Sequence, residues 1–597
     1  MTAPPTPTPE ERLAALEAWF RDANIEYDRE AVALHSTAAG AYSVRALVSL
    51  NEDQALARIP KDSVLSTKNC GIADLLETAG FDGVTGLAVA VMYERSLGPQ
   101  SPWAGYLQAI PEYESIPILW SDDDVALLAG TDVEEQTARH RKSLSEEYDA
   151  RVVPALTAEG LLGNAAAGAE RFFSKTAFLH AASLASSRAF GVDAYHGDAM
   201  VPFADLFNHQ TPSRTGEGGE HVHMVTDPEV CPHCGANGPC GCDDETDSED
   251  HIEEVDEFHE DAEEVEEEEE LVDAQSDGSG DEVEPPELYD PADWTIDDPD
   301  FDPHDPENFP ETDVQDFLEM IVVRDCPEGA EVFNTYGAHG NDYLLTQYGF
   351  CEPRNLFDTL GVDADAVIAA ASARVGAEKV QERVDFWKAI GREIVESVLE
   401  PEDEDGEDSE DERNAPRTTS EEMDHDGKEA DGKDSSSPNH RDNFCFASTG
   451  QVSEGLLAFL HLLFSDVSRF AAFADNPESF LRHISTLRSR NWTAATPPMS
   501  KAARSAKRMG GKAAAGLPLP QSPTDRAISA TLLAVATARG DAYPTTLEED
   551  RARLKKRDAL VDGPRRFALL LRIGEKEIVA RAKKNYASVG AGVAARR

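Results

Sequence analysis

Apolar positions along this 597-residue chain recur with two different periods, and the change of period marks its parts. Leu13, Leu16, Trp19 and Phe20 fall at helical spacing and predict a helix over 10–24, after a Pro/Thr-rich, flexible lead-in at 1–9. Val44, Ala46 and Val48 alternate, and an apolar run over 55–59 closes on Pro60, so short strands are expected over 42–60. Helices are expected at 86–96, from Ser121 onward, over 131–153 and over 172–190. Ser121 suits an N-cap, and Asp122, Asp123 and Asp124 follow it in the first turn, where the helix dipole favours negative charge. Strand-like segments return at 200–203 and 317–323. Beyond Phe350 the spacing predicts helices over 363–399, 453–473, 518–539 and 547–560, with no internal repeat. The fold class is α+β: a β core over 10–352 with an inserted helical unit at about 85–185, then an all-helical domain over 353–597.

Charge interrupts that pattern twice. Residues 243–313 hold 35 Asp/Glu and no Lys or Arg, and residues 402–434 hold 16 Asp/Glu against 4 Lys/Arg. Together they carry most of the formal net charge of −62. Such tracts cannot offset their ordering entropy by apolar burial, so disordered acidic insertions are expected at about 212–313 and 400–442. A basic linker spans about 488–516, in which Lys501, Arg504, Lys507 and Arg508 read either as a solvated linker or as a nuclear import signal. The acidity excludes nucleic acid as an expected partner and favours a basic protein. The chain lacks a run of about 18 apolar residues, so no membrane partner is expected. Cys70, Cys326, Cys351 and Cys445 stand alone, which suits a reducing compartment. With no signal-peptide pattern in the first residues, nucleus and/or cytoplasm is the expected localisation, and a monomer the expected state.

Candidate chemistry lies at four places. Gly80, Gly83 and Gly86 lack the spacing and preceding strand of a nucleotide loop and read as a loop before a helix. Cys231-Pro-His233-Cys234-Gly, followed by Cys240-Gly-Cys242, could supply four thiolates to a tetrahedral zinc ion, with His221, His223 and His233 as spare ligands; the alternative is an incidental thiol-rich loop. Asp205-Leu-Phe-Asn208-His209 follows a strand-like run and offers amide and imidazole groups to a ligand. Phe333-Asn-Thr-Tyr336-Gly337, with Asn341 and Tyr348-Gly349-Phe350, sets two tyrosines beside glycines, where backbone can approach a ligand closely.

The order Ser187-Arg188, Asp205-x-x-Asn208-His209, Tyr336-Gly337 and Tyr348-Gly349-Phe350 resembles the SET-domain protein lysine methyltransferases. It is most similar to the branch of the plant Rubisco large-subunit methyltransferase and the fungal ribosomal-protein lysine methyltransferases. Tyr93-Glu94-x-Ser96-Leu97-Gly98 and Pro117-x-x-Trp120-Ser121 resemble that branch's inserted helical unit. Tyr543 to Asp550 with Leu571-Arg-x-Gly574-Glu575-Lys576 resembles its C-terminal substrate-binding domain. The resemblance implies S-adenosylmethionine as cofactor, held by Asn208 and His209 and supported by Ser187, Arg188 and Asp205. It implies Tyr336 as the catalytic tyrosine and Tyr348 as lining the lysine channel. The implied substrate is a basic protein, a ribosomal protein or a histone. Histidine methylation on the same fold, or a catalytically weak acidic protein that holds basic clients, are the alternatives. One position departs from the family: Ser43 stands where a second glycine is expected on the cofactor side. The 123 residues from Gln210 to Val332 are expected to be a loop enlarged at the rim of an intact site.

Overall fold

The structure is a computed structural model that describes residues 8–36, 42–162, 169–212, 219–226, 230–237, 240, 242, 316–399, 444–489, 522–556, 561 and 563–591. The acidic runs 243–313 and 402–434, Gly40 and the cluster at 501–508 lie outside the described residues.

Twelve strands are described: β1 (Glu26–Tyr27), β2 (Val32–Ser36), β3 (Tyr42–Ala46), β4 (Ala55–Pro60), β5 (Ala189–Gly191), β6 (Asp198–Met200), β7 (Asn208–His209), β8 (Val222–Val225), β9 (Phe317–Val322), β10 (Glu331–Asn334), β11 (Thr359–Gly361) and β12 (Cys445–Ala447). Eight form one sheet in the order β1-β4-β9-β8-β10-β3-β2, with β7 joined to β10. The alternation read at 42–60 reports real burial: Tyr42, Val44 and Ala46 face inward from β3. Leu318, Met320 and Val322 do so from β9, each fully buried.

The first helix, Pro9–Asp22, begins at a capping box in which Thr8 and Glu11 satisfy each other's backbone donors, and it buries Leu16 and Phe20 against the sheet. Ser121 and Ser174 cap Asp122–Val125 and Lys175–Arg188. Asp82 precedes the helix Gly83–Leu97, so the three glycines are a loop and a helix start.

Several expected boundaries shift, each for a local reason. The strand expected at 200–203 stops at Met200, because Phe203 takes a positive φ of 76° and starts a 3-10 turn. The helix expected over 363–399 breaks at Gly376, whose φ of 94° suits glycine. The helix expected over 453–473 is two, Glu454–Leu463 and Val467–Asp475, bent by 113°. There Arg383, itself buried, donates to the carbonyl of Ser465 at 3.2 Å, and Asp466 caps the second helix. Among the described residues no single helix is long and apolar enough to cross a membrane. The region beyond Phe350, expected to be all helical, is predominantly helical among the described residues but also holds an antiparallel ladder between β11 and β12. Two helices the spacing did not single out belong to it: Pro477–Ser489 and the 28-residue Pro564–Ala591. The segment expected to be unstructured from 212 contributes β8, which sits between β9 and β10 in the sheet.

Candidate active site

The segment holding Asn208 and His209 and the segment leading to Tyr336 meet through backbone pairing. β7 runs parallel to β10, with Asn208 opposite Phe333 and His209 opposite Asn334. What lets β7 reach β10 is the turn before it. Phe203 is a bulky residue at positive φ, a conformation costing on the order of 1–3 kcal/mol. It is held there by full burial against the rings of Tyr27, Phe20 and Phe207, with centroids at 4.9, 5.8 and 5.6 Å. The following 3-10 turn, Ala204–Leu206, points Asp205 into the core and releases the chain as β7.

Adjacent residues of β7 face opposite sides. Asn208 is exposed, and its amide donates to the carbonyl of Tyr42 at 3.2 Å and to Glu331 at 2.7 Å. His209 is buried. Its Nδ1 accepts from the backbone N–H of Tyr336 at 2.9 Å, which leaves the ring proton on Nε2, 3.3 Å from the Thr211 hydroxyl. Burial, reinforced by the nearby His339, lowers the His209 pKa to about 3, so the ring is neutral at any physiological pH.

Tyr336 closes the loop between the segments: its hydroxyl donates to the carbonyl of Phe207 at 3.0 Å. Around it stand His209, Tyr348 and Phe350, with ring centroids at 4.9, 4.6 and 6.4 Å. Burial raises the hydroxyl pKa of both Tyr336 and Tyr348, so both keep their protons. Tyr348 ends a π-helical turn and Gly349 follows at φ 79°; a Cβ there would lie 3.0 Å from the Ser115 carbonyl. Glycine is thus required twice over at this corner.

Behind the aromatic group lies a partly buried ionic network. Arg188 donates from Nε and Nη2 to Glu114 at 2.9 and 2.6 Å, and from Nη1 to the carbonyl and carboxylate of Asp205 at 3.2 and 3.1 Å. The hydroxyl of Tyr106 donates to the same carboxylate at 2.8 Å. The two carboxylates outweigh the burial of Arg188 and raise its pKa, fixing it as a cation. Burial pushes the Asp205 carboxyl up, against the pull of Arg188. The other Asp205 oxygen, Oδ1, is buried with no hydrogen-bond partner among the described residues.

Of the residues expected at the site, Asp205, Asn208, His209, Arg188, Tyr336 and Tyr348 come together. Ser187 does not: its hydroxyl donates back to the Ser183 carbonyl at 2.7 Å within its own helix. Ser43 sits in β3 opposite His35 and is not among the positive-φ residues, so its backbone asks for no glycine. Cys231, Cys234, Cys240 and Cys242 bring their sulfurs within 4.8 Å of one another. Glu114, Tyr106, His339 and Tyr343 were not expected. Glu114 and Tyr106 reach the network from turns and a short helix far away in sequence, with no periodic signal. His339 stacks on Tyr343 at 4.0 Å and lies two residues past the Tyr336-Gly337 pair, which could have flagged it.

Fold and site together define a SET-type β core joined to a helical C-terminal region. Residues 436–579 match the family model described as Rubisco LSMT substrate-binding. The chain is similar to ribosomal lysine N-methyltransferase 3 of Saccharomyces cerevisiae, 25% identical over 62% of this chain and 67% of that protein. It is also similar to the N-lysine methyltransferase SETD6 of Rattus norvegicus, 26% identical over 33% of this chain and 44% of the relative. The SET domain of LSMT bound to lysine and AdoHcy shares the fold with a TM-score of 0.52 at 14% identity, over 98% of this chain and 92% of that one. Rubisco LSMT bound to AdoMet matches at a TM-score of 0.50 and 14% identity, over 98% and 92%. The chain thus resembles the SET-domain lysine methyltransferases, in the branch that carries the Rubisco LSMT substrate-binding domain.

Proposed function

We propose that this chain is an S-adenosylmethionine-dependent protein-lysine N-methyltransferase acting on a basic protein, with ribosomal proteins first among the candidates. The observation that carries the reading is the parallel pairing of β7 with β10, which sets Tyr336 on the Phe207 carbonyl amid aromatic rings.

The residues fit such a cofactor in two respects. His209, neutral, can stand near a sulfonium without repulsion. Asn208 offers an amide beside β10, and the orphaned oxygen of Asp205 marks unspent acceptor capacity in the same wall. When bound, S-adenosylmethionine supplies an electrophilic methyl group. Asn208 and His209 are assigned to holding it, with Arg188 and Asp205 bracing them. Transfer to an amine is an in-line displacement, so alignment of the two reactants is the main help, worth several kcal/mol. A lysine entering between Tyr336, Tyr348 and Phe350 leaves water, which lowers its pKa and favours the neutral amine that can attack. Tyr336 commits its proton to Phe207, so its oxygen lone pairs are left to accept from the amine N–H and aim the nitrogen. With its pKa raised, Tyr336 orients the amine and does not serve as a base.

The test is transfer of labelled methyl from S-adenosylmethionine to fractionated ribosomal proteins and histones, with mass spectrometry of the product. The reading expects methyl-lysine in a basic protein. Label on histidine, or none in any fraction, would contradict it.

A further inference from the structure

We propose that Cys231, Cys234, Cys240 and Cys242 bind one zinc ion as a structural tetrathiolate site in the loop that follows β8. Neither the fold nor the active-site chemistry calls for such a site.

The first observation is the convergence of all four sulfurs within 4.8 Å. In a tetrahedral zinc site with Zn–S near 2.3 Å, sulfurs stand about 3.8 Å apart. The four thiols therefore need to close by no more than about 1 Å, which side-chain torsions alone can supply. The second observation is the backbone between the first two cysteines. The N–H of Gly235 donates to the Cys231 carbonyl at 2.8 Å, and the N–H of Cys231 donates to the Ala236 carbonyl at 2.9 Å. Gly235 takes a φ of 76°, so Cys231 to Ala236 is a tight knuckle that closes on itself.

That knuckle is seated. A Cβ at Gly235 would lie 2.9 Å from the Tyr195 ring, so glycine is needed for its conformation and for this approach. Tyr195 belongs to a fixed turn, since Asp193 accepts from the backbone of Tyr195 and His196 at 3.0 and 2.7 Å, and pairs with the buried Lys61 at 3.0 Å.

Ligand chemistry selects the metal. Thiolates are soft donors and favour zinc over magnesium or calcium. Four protein ligands complete the shell and leave no open position, the mark of a structural ion. The histidines that could compete are otherwise placed. His221 accepts from the N–H of Phe333 at 3.2 Å, and His223 lies 3.5 Å from Glu220. His233 is not part of the converging group. In sequence, Cys242 immediately precedes the acidic run 243–313, so the ion would tie off the chain where that run begins.

The full chain, produced in zinc-supplemented medium and dialysed against metal-free buffer, should retain one zinc per chain by elemental analysis. Cobalt exchanged into it should give the strong visible and sulfur-to-metal absorption of tetrahedral thiolate coordination. Four cysteines should resist alkylation until a chelator is added. The double substitution Cys234→Ser with Cys240→Ser should drop bound zinc to background. Should that variant fail to fold, the metal content and cobalt spectrum of the unaltered chain decide. Metal-free protein with no cobalt bands, or disulfides among these cysteines in freshly reduced preparations, would overturn the proposal.

Discussion

Asp205, beside the joined strands, and Glu575, on the helix Pro564–Ala591, are both carboxylates withdrawn from water, and they are held differently. Asp205 shares a guanidinium with Glu114: Arg188 lies between the two acids within hydrogen-bonding distance of each. Glu575 accepts from the Tyr543 hydroxyl at 2.5 Å, while Arg539 stays at 3.5 Å and is drawn to Asp132 at 2.7 Å. Burial, with the charge of Asp132 added, pushes the Glu575 carboxyl up to about 8. Nearby Asp358, served by the neutral amide groups of Asn341, is pushed up to about 7, again by burial first. A matched cation fixes the frame behind Tyr336. Neutral donors leave Glu575 and Asp358 as acids that titrate near neutrality.

The sharpest way to break this contrast is Arg188→Ala. It strands the buried carboxylate of Asp205 and the partly exposed one of Glu114 and should cost about 3–5 kcal/mol of stability, read from denaturant unfolding. A loss below about 1 kcal/mol would mean the network does not hold the site.

The pH dependence tests the other half. For Glu575 and Asp358 the folded pKa lies above the unfolded one, so the folded state binds more protons between the two values and stability falls as pH rises through them. Unfolding free energy should therefore decline from about pH 5 to pH 8, with a slope of up to about 1.4 kcal/mol per pH unit for each group. Glu575→Gln, which keeps an acceptor for Tyr543, should flatten that slope. An unchanged slope would assign the proton uptake elsewhere.

The smallest effect concerns the acidic run. Deleting 243–313 should lower kcat/KM for a basic protein about tenfold at low salt, fading as salt rises, and leave a short neutral peptide unaffected. Equal effects on both substrates would remove steering.

The sequence carried local information well and long-range information only through resemblance. Ser121 and Ser453 cap helices as their residue types dictate. The alternation in β3 marks a strand with one buried face, and the apolar run of β4 marks one buried at most of its positions. Phe203 has no such signature: a phenylalanine at positive φ is enforced by tertiary packing against Tyr27 and Phe20. β8 was hidden because four residues of strand sit in a stretch read from the charge that follows it. Glu114 belongs to the site only because a loop folds it onto Arg188, 74 residues away. The pairing of β7 with β10 is likewise invisible to any window, and only the order of the motifs pointed to it.

The most direct measurement of the central claim is the kinetics of Tyr336→Phe alongside calorimetry of S-adenosylmethionine binding. Turnover on a basic protein should fall on the order of 100-fold while cofactor affinity stays within a few-fold, because the hydroxyl acts on the amine and not on the cofactor. Undiminished turnover would show that the joined strands do not place Tyr336 at the reacting nitrogen.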